Sequence, residues 1–389
     1  MCTIVSSLAP TPAVAQNAEA RALATADIRE SLDSLRGAYG FPGVIAAWST
    51  SDGGTQTVAV GVADPGSIEP LPPTGRMLAG SIGKSFVAAT VLALAGEGKL
   101  ALDDPLKKWL GRRPWFARLP NGDSIALRHL LMHSAGLPDH VYDKDFQSAL
   151  AARWQETAAP FSPDDLVGFV LDDPPLFPSG RGWAYTDTGY ILLGLVVEEV
   201  VQGDLFREIE RRFLAPLDLD RTEPSDHTRL TGLVPGWVDP QNPFGLPPST
   251  LDDDGVLVWN PGLEWAGGGL VSHPEDLVRW GTALFTGGAM TSDYLEELEN
   301  GVPLDGAGGT LLYGAGVAIR TRSPFGPVLG HAGFIPGYVS SLRYYPRSGI
   351  AIALQMNTDG PFVGGADAGD VLAALEEALA RHLVEAGGA

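Results

Sequence analysis

The sequence predicts an α+β fold in which one antiparallel sheet, assembled from both ends of the chain, is interrupted by a mainly helical insertion. Three observations predict it. Short β-rich stretches lie near the start, capped helices and Pro- and Gly-rich loops fill the middle, and closely spaced strands followed by a helix close the chain. The 389 residues are 44% hydrophobic, enough for a large core and for two or three domains. A charged share of 19% is that of a folded chain rather than a disordered one.

Residues 1–16 read as a tail or the remnant of a signal. A short apolar stretch precedes Ala13-Val14-Ala15, a small-x-small pattern of the kind signal peptidases cut, although the basic front end is missing. The expectation is a periplasmic or secreted protein, with the cytoplasm as the alternative. Glu19 to Leu35 carries helical spacing and reads as a surface helix. GVIAAWST (43–50) and TQTVAVGVAD (55–64) flank Ser51-Asp52-Gly53-Gly54, which is a hairpin signal.

A helix opens near Ser81 and ends around Gly96 and Gly98. Asp103-Asp104-Pro105 opens a short one, Ser162-Pro163-Asp164-Asp165 another, and Ser272-His273-Pro274-Glu275 a third, with Ser272 and Glu275 at capping-box spacing. TLLYGAGVAIR (310–320), FGPVLGHAG (325–333), YVSSLRYYP (338–346) and IAIALQMN (350–357) read as strands whose short turns, such as Arg347-Ser348-Gly349, pair neighbours antiparallel. Both alternate positions of IAIALQM are apolar, so both sheet faces are expected to be covered, one of them by a helix from Val371 to Val384. The expected division is an α/β domain of residues 17–80 and 295–389 around a mainly helical domain of residues 81–294.

The net charge of −21 disfavours phosphate backbones and anionic lipid, so no nucleic-acid partner is expected. Cys2 is the only cysteine, which excludes an intrachain disulfide and a cysteine-rich metal site. No stretch is long and apolar enough to span a membrane. The sequence assigns no oligomeric state.

The chemistry concentrates at LAGSIGKSFVAAT (78–90). Between residues 81 and 95 the only charged side chain is Lys84, in a helix apolar on all sides and therefore buried. Ser81 lies three residues earlier on the same face. Burial lowers an ammonium pKa, and an amine that becomes neutral beside a hydroxyl takes its proton and makes it a nucleophile. The helix N-terminus also favours a developing oxyanion at Ser81. The bland alternative is a capping serine and a lysine reaching solvent.

Two more stretches stand out. FPSGRGWAYTDTGYILLGL (177–195) puts Tyr185 in a loop before a helix, with Thr186, Asp187 and Thr188 all possible caps. In VLGHAGFIPGY (328–338) a strand carries His331, which could donate a hydrogen bond or bear charge, and Gly333, which permits close approach of a ligand along the strand edge. An S-x-x-K opening an apolar helix, then Y-x-[N/D], then [K/H]-x-G on a late strand, resembles the penicillin-binding protein and class C β-lactamase superfamily of serine hydrolases. LRHLLMHSAGLPDH (127–140), WAGGGLVSHPEDLVRW (265–280), YGAGV (313–317) and GHAGFIPGY (330–338) match its other landmarks in order, from about residue 75 to 357.

The resemblance implies an antiparallel sheet flanked by helices, a mainly helical domain and a site between them. It implies that Ser81 is the acylated nucleophile, that Lys84 activates it, that Tyr185 acts as general base and acid, and that His331 stands where the family often has lysine. The backbone N–H groups of Ser81 and Phe334 would form the oxyanion hole. Neither cofactor nor metal is implied, and the partner is a small-molecule substrate. Asp187 departs from the asparagine common in the family: a carboxylate there raises the lysine pKa and shifts weight to Tyr185, favours a substrate with a free amine, or simply caps the next helix. Ala332 lacks the hydroxyl that helps hold a substrate carboxylate. A small ester, or an amide or short peptide of a D-amino acid, is thus expected ahead of a D-alanyl-D-alanine carboxypeptidase or a true β-lactamase. Loops 138–160 and 236–262 are expected to shape the pocket.

Rival classes are a zinc hydrolase using His129 and His133, four apart but without H-E-x-x-H, and a non-catalytic penicillin-recognising sensor on the same scaffold. No G-x-S-x-G elbow is present, which argues against an α/β-hydrolase.

Overall fold

The computed structural model describes residues 12–385 apart from 51, 157–158, 292 and 305–307. Helix α1 (Pro12–Tyr39) leads into the hairpin β1 (Gly43–Ser49) and β2 (Thr55–Gly61), then β3 (Met77–Leu78) and a 3₁₀ turn, Gly80–Ile82. The helices α2 (Gly83–Gly96), α3 (Leu106–Leu110), α4 (Leu127–Leu131), α5 (Lys144–Glu156), α6 (Pro163–Gly168), α7 (Asp187–Val201) and α8 (Leu205–Ile209) follow. After β4 (Glu223–Pro224) and β5 (Leu270–Ser272) come α9 (Pro274–Phe285) and α10 (Leu295–Glu299). The chain closes with β6 (Val302–Pro303), β7 (Leu311–Tyr313), β8 (Ala318–Arg320), β9 (Val328–Ile335), β10 (Tyr338–Tyr345), β11 (Ile350–Met356) and α11 (Ala368–Ala380).

The main sheet runs in the order β2-β1-β11-β10-β9-β8-β7-β6 and is antiparallel throughout. The N-terminal hairpin joins it through β1 and β11, with Val44 opposite Met356. Period-two alternation divides β1 between two cores. Val44, Ala46 and Trp48 pack with Leu354 and Met356 toward α1 and α11, while Ile45 and Ala47 face the larger core with Ala351 and Ala353. Small residues on that second face let α9 lie close: a Cβ on Gly281 would come 2.7 Å from Leu342. Burial on both faces, as the apolar run of β11 predicts, therefore holds.

Several details differ from expectation. Helix α1 is longer than the segment 19–35, takes in residues 12–16, and buries Ile28 and Leu32 completely, so only one of its faces is surface. The remainder of the tail reading, residues 1–11, lies outside the described residues. The stretch 310–320 is two strands, because Gly316 turns there with φ +72° and brings the turn against the Lys84 carbonyl of α2. Ser272 does not cap α9. It is held extended in β5 opposite Met77, its hydroxyl meets that of Thr222 at 2.8 Å, and the cap is His273, whose Nδ1 accepts from the Glu275 N–H at 3.2 Å.

Helix α2 is buried on every face from Gly83 to Leu94. Trp280 of α9 stacks on Phe86 of α2 with ring centroids 4.0 Å apart and donates to Ser85 Oγ at 2.8 Å. The helix that starts at the serine is thus pinned to the layer that covers the sheet. Among the described residues no helix is long and apolar enough to cross a membrane.

Candidate active site

Ser81 sits in the 3₁₀ turn ahead of α2, clasped between two backbones. Gly80, at φ +54°, has no room for a Cβ, which would lie 2.8 Å from the Phe334 nitrogen and oxygen of β9. Opposite, a Cβ on Gly83 would meet the backbone of Gly268 at 2.9 Å. Gly333 is needed for the same clasp: a Cβ there would stand 1.9 Å from the Ala79 carbonyl oxygen. Its close approach serves the chain's own backbone, and Gly333 also lines a cavity that opens on Ser81. The clasp brings the Phe334 N–H against the Gly80-Ser81 turn.

Lys84 is wholly buried beneath Ser81. Its three donors meet three acceptors: Ser81 Oγ at 3.1 Å, Asp187 Oδ1 and the Gly267 carbonyl. Burial pulls its pKa down, but the charge and hydrogen bond of Asp187, helped by Tyr185, overcome this and raise it above the ordinary lysine value. The expectation of a neutral, desolvated amine is thereby corrected. Lys84 is an ammonium, and the conditional effect foreseen for a carboxylate at position 187 is the one that operates. Asp187 does not cap α7, and neither do its neighbours: the Thr186 hydroxyl donates to the Pro138 carbonyl at 3.0 Å, and that of Thr188 faces His140.

Tyr185 lies two residues before α7 with its hydroxyl buried and without a well-formed hydrogen bond. Lys84 Nζ is 5.0 Å from its ring centre. Burial raises the phenol pKa, while the Lys84 charge and the nearby Ser81 hydroxyl oppose the rise. The segment that carries Tyr185 is fastened on both sides to one residue. Ala184 N–H donates to the His133 carbonyl at 3.0 Å, and Thr186 N–H donates to His133 Nδ1 at 3.3 Å. The imidazole lies against the Tyr185 ring with centroids 4.1 Å apart. Burial first, then the charge of Lys84, holds His133 neutral. His133 has φ +54° just beyond α4, so it leaves the helix face of His129, and among the described residues no cluster of three metal-ligating side chains exists. The spacing that suggested zinc instead supports the tyrosine loop.

His331 reaches the site from β9, but as a neutral group. Its Nδ1–H donates to the Ala332 carbonyl, its Nε2 accepts from Tyr313 at 2.7 Å, and burial together with Lys84 pushes it down to about 3. It bears no charge there, because the low-dielectric site already holds an ammonium.

Two cavities open on Ser81, with Tyr185 and Phe334 lining both. One of about 330 Å³ is mostly apolar, walled by Ala332, Val339 and Leu372. The other, of about 450 Å³, is walled by Asp139, Val141 and Tyr142 from one loop and by Asp239 and residues 241–244 from another, so both loops named from the sequence contribute. It also takes in Glu264, and with Asp139 this gives two acidic residues that sequence reading missed. Asp139 stood in the stretch 127–140, yet nothing in its spacing marked it. A more open groove of about 640 Å³ between α1 and α11 contains none of these groups.

Residues 25–376 match the family described as Beta-lactamase. The chain is 25% identical over 273 residues to penicillin-binding protein 4* of Bacillus subtilis strain 168, covering 68% of this chain and 57% of that protein. It thus spans little more than half the length of this curated relative. A D-stereospecific amidohydrolase from Streptomyces sp. superposes with a TM-score of 0.77 at 26% identity, over 90% of this chain and 98% of that one. A D-amino acid amidase from Ochrobactrum anthropi SV3 shares the fold with a TM-score of 0.75 at 24% identity, over 92% of this chain and 99% of that one.

Proposed function

The chain belongs to the Beta-lactamase family, and from that premise we propose that it is a serine hydrolase working through an acyl-enzyme on a small ester, or on an amide or short peptide of a D-amino acid. One observation carries the reading. Lys84 Nζ lies 3.1 Å from Ser81 Oγ in a buried site that also holds the Tyr185 hydroxyl.

In the proposed sequence Ser81 Oγ attacks the substrate carbonyl carbon as its proton passes to the Lys84–Tyr185 pair. Because Asp187 keeps Lys84 charged, the pair accepts this proton only in the form that has already lost one to solvent, in which Tyr185 is a phenolate beside the Lys84 ammonium and is the member that takes it. The backbone N–H groups of Ser81 and Phe334 receive the oxyanion. The bond to the leaving group breaks, that group takes the proton from Tyr185, and an ester to Ser81 remains. Water, deprotonated by the same pair, then attacks the ester and restores Ser81. His331 and Tyr313 shape the wall behind this exchange and carry no net charge in it.

The Streptomyces amidohydrolase supports an amide substrate of D configuration. A dedicated β-lactamase or D-alanyl-D-alanine carboxypeptidase fits less well, since Ala332 offers no hydroxyl, His331 no charge, and the larger cavity is acidic. The test compares a p-nitrophenyl ester, a D-alanine anilide and a chromogenic cephalosporin on the wild type, Ser81→Ala and Tyr185→Phe. Turnover of the ester or anilide that disappears in Ser81→Ala supports the reading, as does a phosphonate label on the peptide holding Ser81. Unchanged rates in Ser81→Ala, or a label elsewhere, overturn it.

A further inference from the structure

Strand β9 outruns its neighbour β8 beside the nucleophile, and the edge this leaves is partly closed by the protein's own imidazole. In the hairpin of β7 and β8 the Gly314 N–H donates to the Val317 carbonyl and the Thr321 N–H to the Thr310 carbonyl. Val317 and Thr321 thus face β7, and the residues of even number between them, Ala318 and Arg320, turn their backbone groups toward β9. They meet Gly330 and Val328 there, and β8 begins at Ala318, opposite Gly330. Two and four residues after Gly330, the N–H and C=O groups of Ala332 and Phe334 point the same way, past the start of β8 and away from β10. Phe334 lines both cavities with Ser81, and Ala332 lines the apolar one. The next residue of this parity is Pro336, in the turn between β9 and β10, and it has no N–H. The Ala332 carbonyl accepts from the buried His331 ring. A carbonyl can only accept, so this bond places the proton of the neutral imidazole on Nδ1, and Nε2 is left to accept from the buried Tyr313 hydroxyl at 2.7 Å.

A substrate residue that gives its scissile C=O to the Phe334 N–H and its own N–H to the Phe334 C=O lies antiparallel to β9. Its chain beyond the scissile bond then runs toward Ala332, along the apolar cavity, and the N–H of the second residue past that bond comes to the Ala332 carbonyl. That acceptor is already engaged, so the incoming N–H gains only a shared bond. In the other direction the edge ends at Pro336. We propose that His331, its proton held on Nδ1 by Tyr313, is a specificity-determining residue that closes the β9 edge at Ala332, so that the protein pairs with a single substrate residue and takes short acyl compounds rather than longer peptides. The proposal rests on the serine-hydrolase reading and limits the length of its substrate. It gives His331 and Tyr313 a use beyond the proton transfers at Ser81, in which neither takes part.

The D-alanine ester of glycolylglycinamide carries an N–H on the second residue past the scissile bond, and its analogue with oxygen in place of that N–H does not. Release of D-alanine from the two should proceed with a kcat/KM ratio within about twofold of one in the wild type, whereas His331→Leu, which frees the Ala332 carbonyl, should favour the N–H compound by roughly three- to tenfold. Tyr313→Phe, which releases the imidazole proton from Nδ1, should raise the ratio by roughly twofold. A fall in overall rate alone, as a merely structural role would give, leaves the ratio unmoved. Independently of turnover, ¹⁵N NMR at neutral pH should show His331 protonated on Nδ1 in the wild type and on both nitrogens in exchange in Tyr313→Phe. Thermal unfolding identifies a variant that fails to fold, in which case the other variant and the wild-type spectrum decide. A wild type that already favours the N–H compound severalfold, a ratio unmoved in a folded His331→Leu, or a wild-type proton on Nε2 overturns the closed edge and leaves the hydrolase standing. Absence of D-alanine release while Ser81 still takes a phosphonate label strikes the D-aminoacyl substrate, and the spectrum then decides the edge. Absence of the label in the wild type strikes the hydrolase reading itself.

Discussion

Lys84 and Asp187 form a direct ion pair beneath Ser81, with the lysine side chain entirely buried and the carboxylate side chain 18% exposed. The pair settles a question left open by two opposed effects on the same ammonium. Desolvation favours the neutral amine and a carboxylate favours the cation, and contact at hydrogen-bond distance lets the carboxylate win.

Asp187→Asn should reverse that balance. With the charge gone, burial of Lys84 is opposed only by Tyr185, so the lysine pKa falls and the Lys84–Tyr185 pair yields its first proton at lower pH. The alkaline-rising limb of kcat/KM on a neutral ester should move down by roughly one pH unit or more. A limb that stays in place, measured on a folded variant, contradicts the role given to Asp187.

Ser81→Ala should reduce kcat/KM on the order of 10⁴-fold or more. Tyr185→Phe should cost about 10² to 10⁴, as expected for loss of a general base. Phosphonate labelling separates the two, since Tyr185→Phe keeps the site of modification and slows it, whereas Ser81→Ala abolishes it.

Gly333→Ala inserts a methyl group 1.9 Å from the Ala79 carbonyl oxygen, where only backbone can yield. Denaturant unfolding should show a loss of about 2 kcal/mol or more, accompanied by loss of activity as the nucleophile turn shifts. Ala332→Ser, on the exposed side of the same strand, should stay within about 0.5 kcal/mol of the wild type. Equal effects at the two positions would refute the backbone clasp.

The elements were legible in the sequence wherever local chemistry decides them. Ser162 caps α6 as its spacing predicts, and β1, β2, β9, β10 and β11 follow their apolar patterns closely. His273 displaced Ser272 as a cap because pairing in β5 outranks a local motif, and α1 showed a buried stripe because α11 and the sheet lie against it. Ser81 and Lys84 stood out by residue type and spacing, Tyr185 only by the family resemblance, and the structure brings the three together. Asp139 and Glu264 carried no such mark, and the spacing of His133 from His129 pointed to a metal instead of the tyrosine loop, since each acquires its environment from segments distant in the chain.

What the sequence determined by itself is the apolar helix with a lysine one turn past a serine, and the order of strands and capped helices around it, because periodicity, capping and turn chemistry act over a few residues. What only the tertiary structure decided is the charge of that lysine and the sign of the cavity beside it. Both depend on which carboxylates arrive within a few ångströms after burial, and electrostatics in a desolvated site is set by distance in space rather than by separation along the chain.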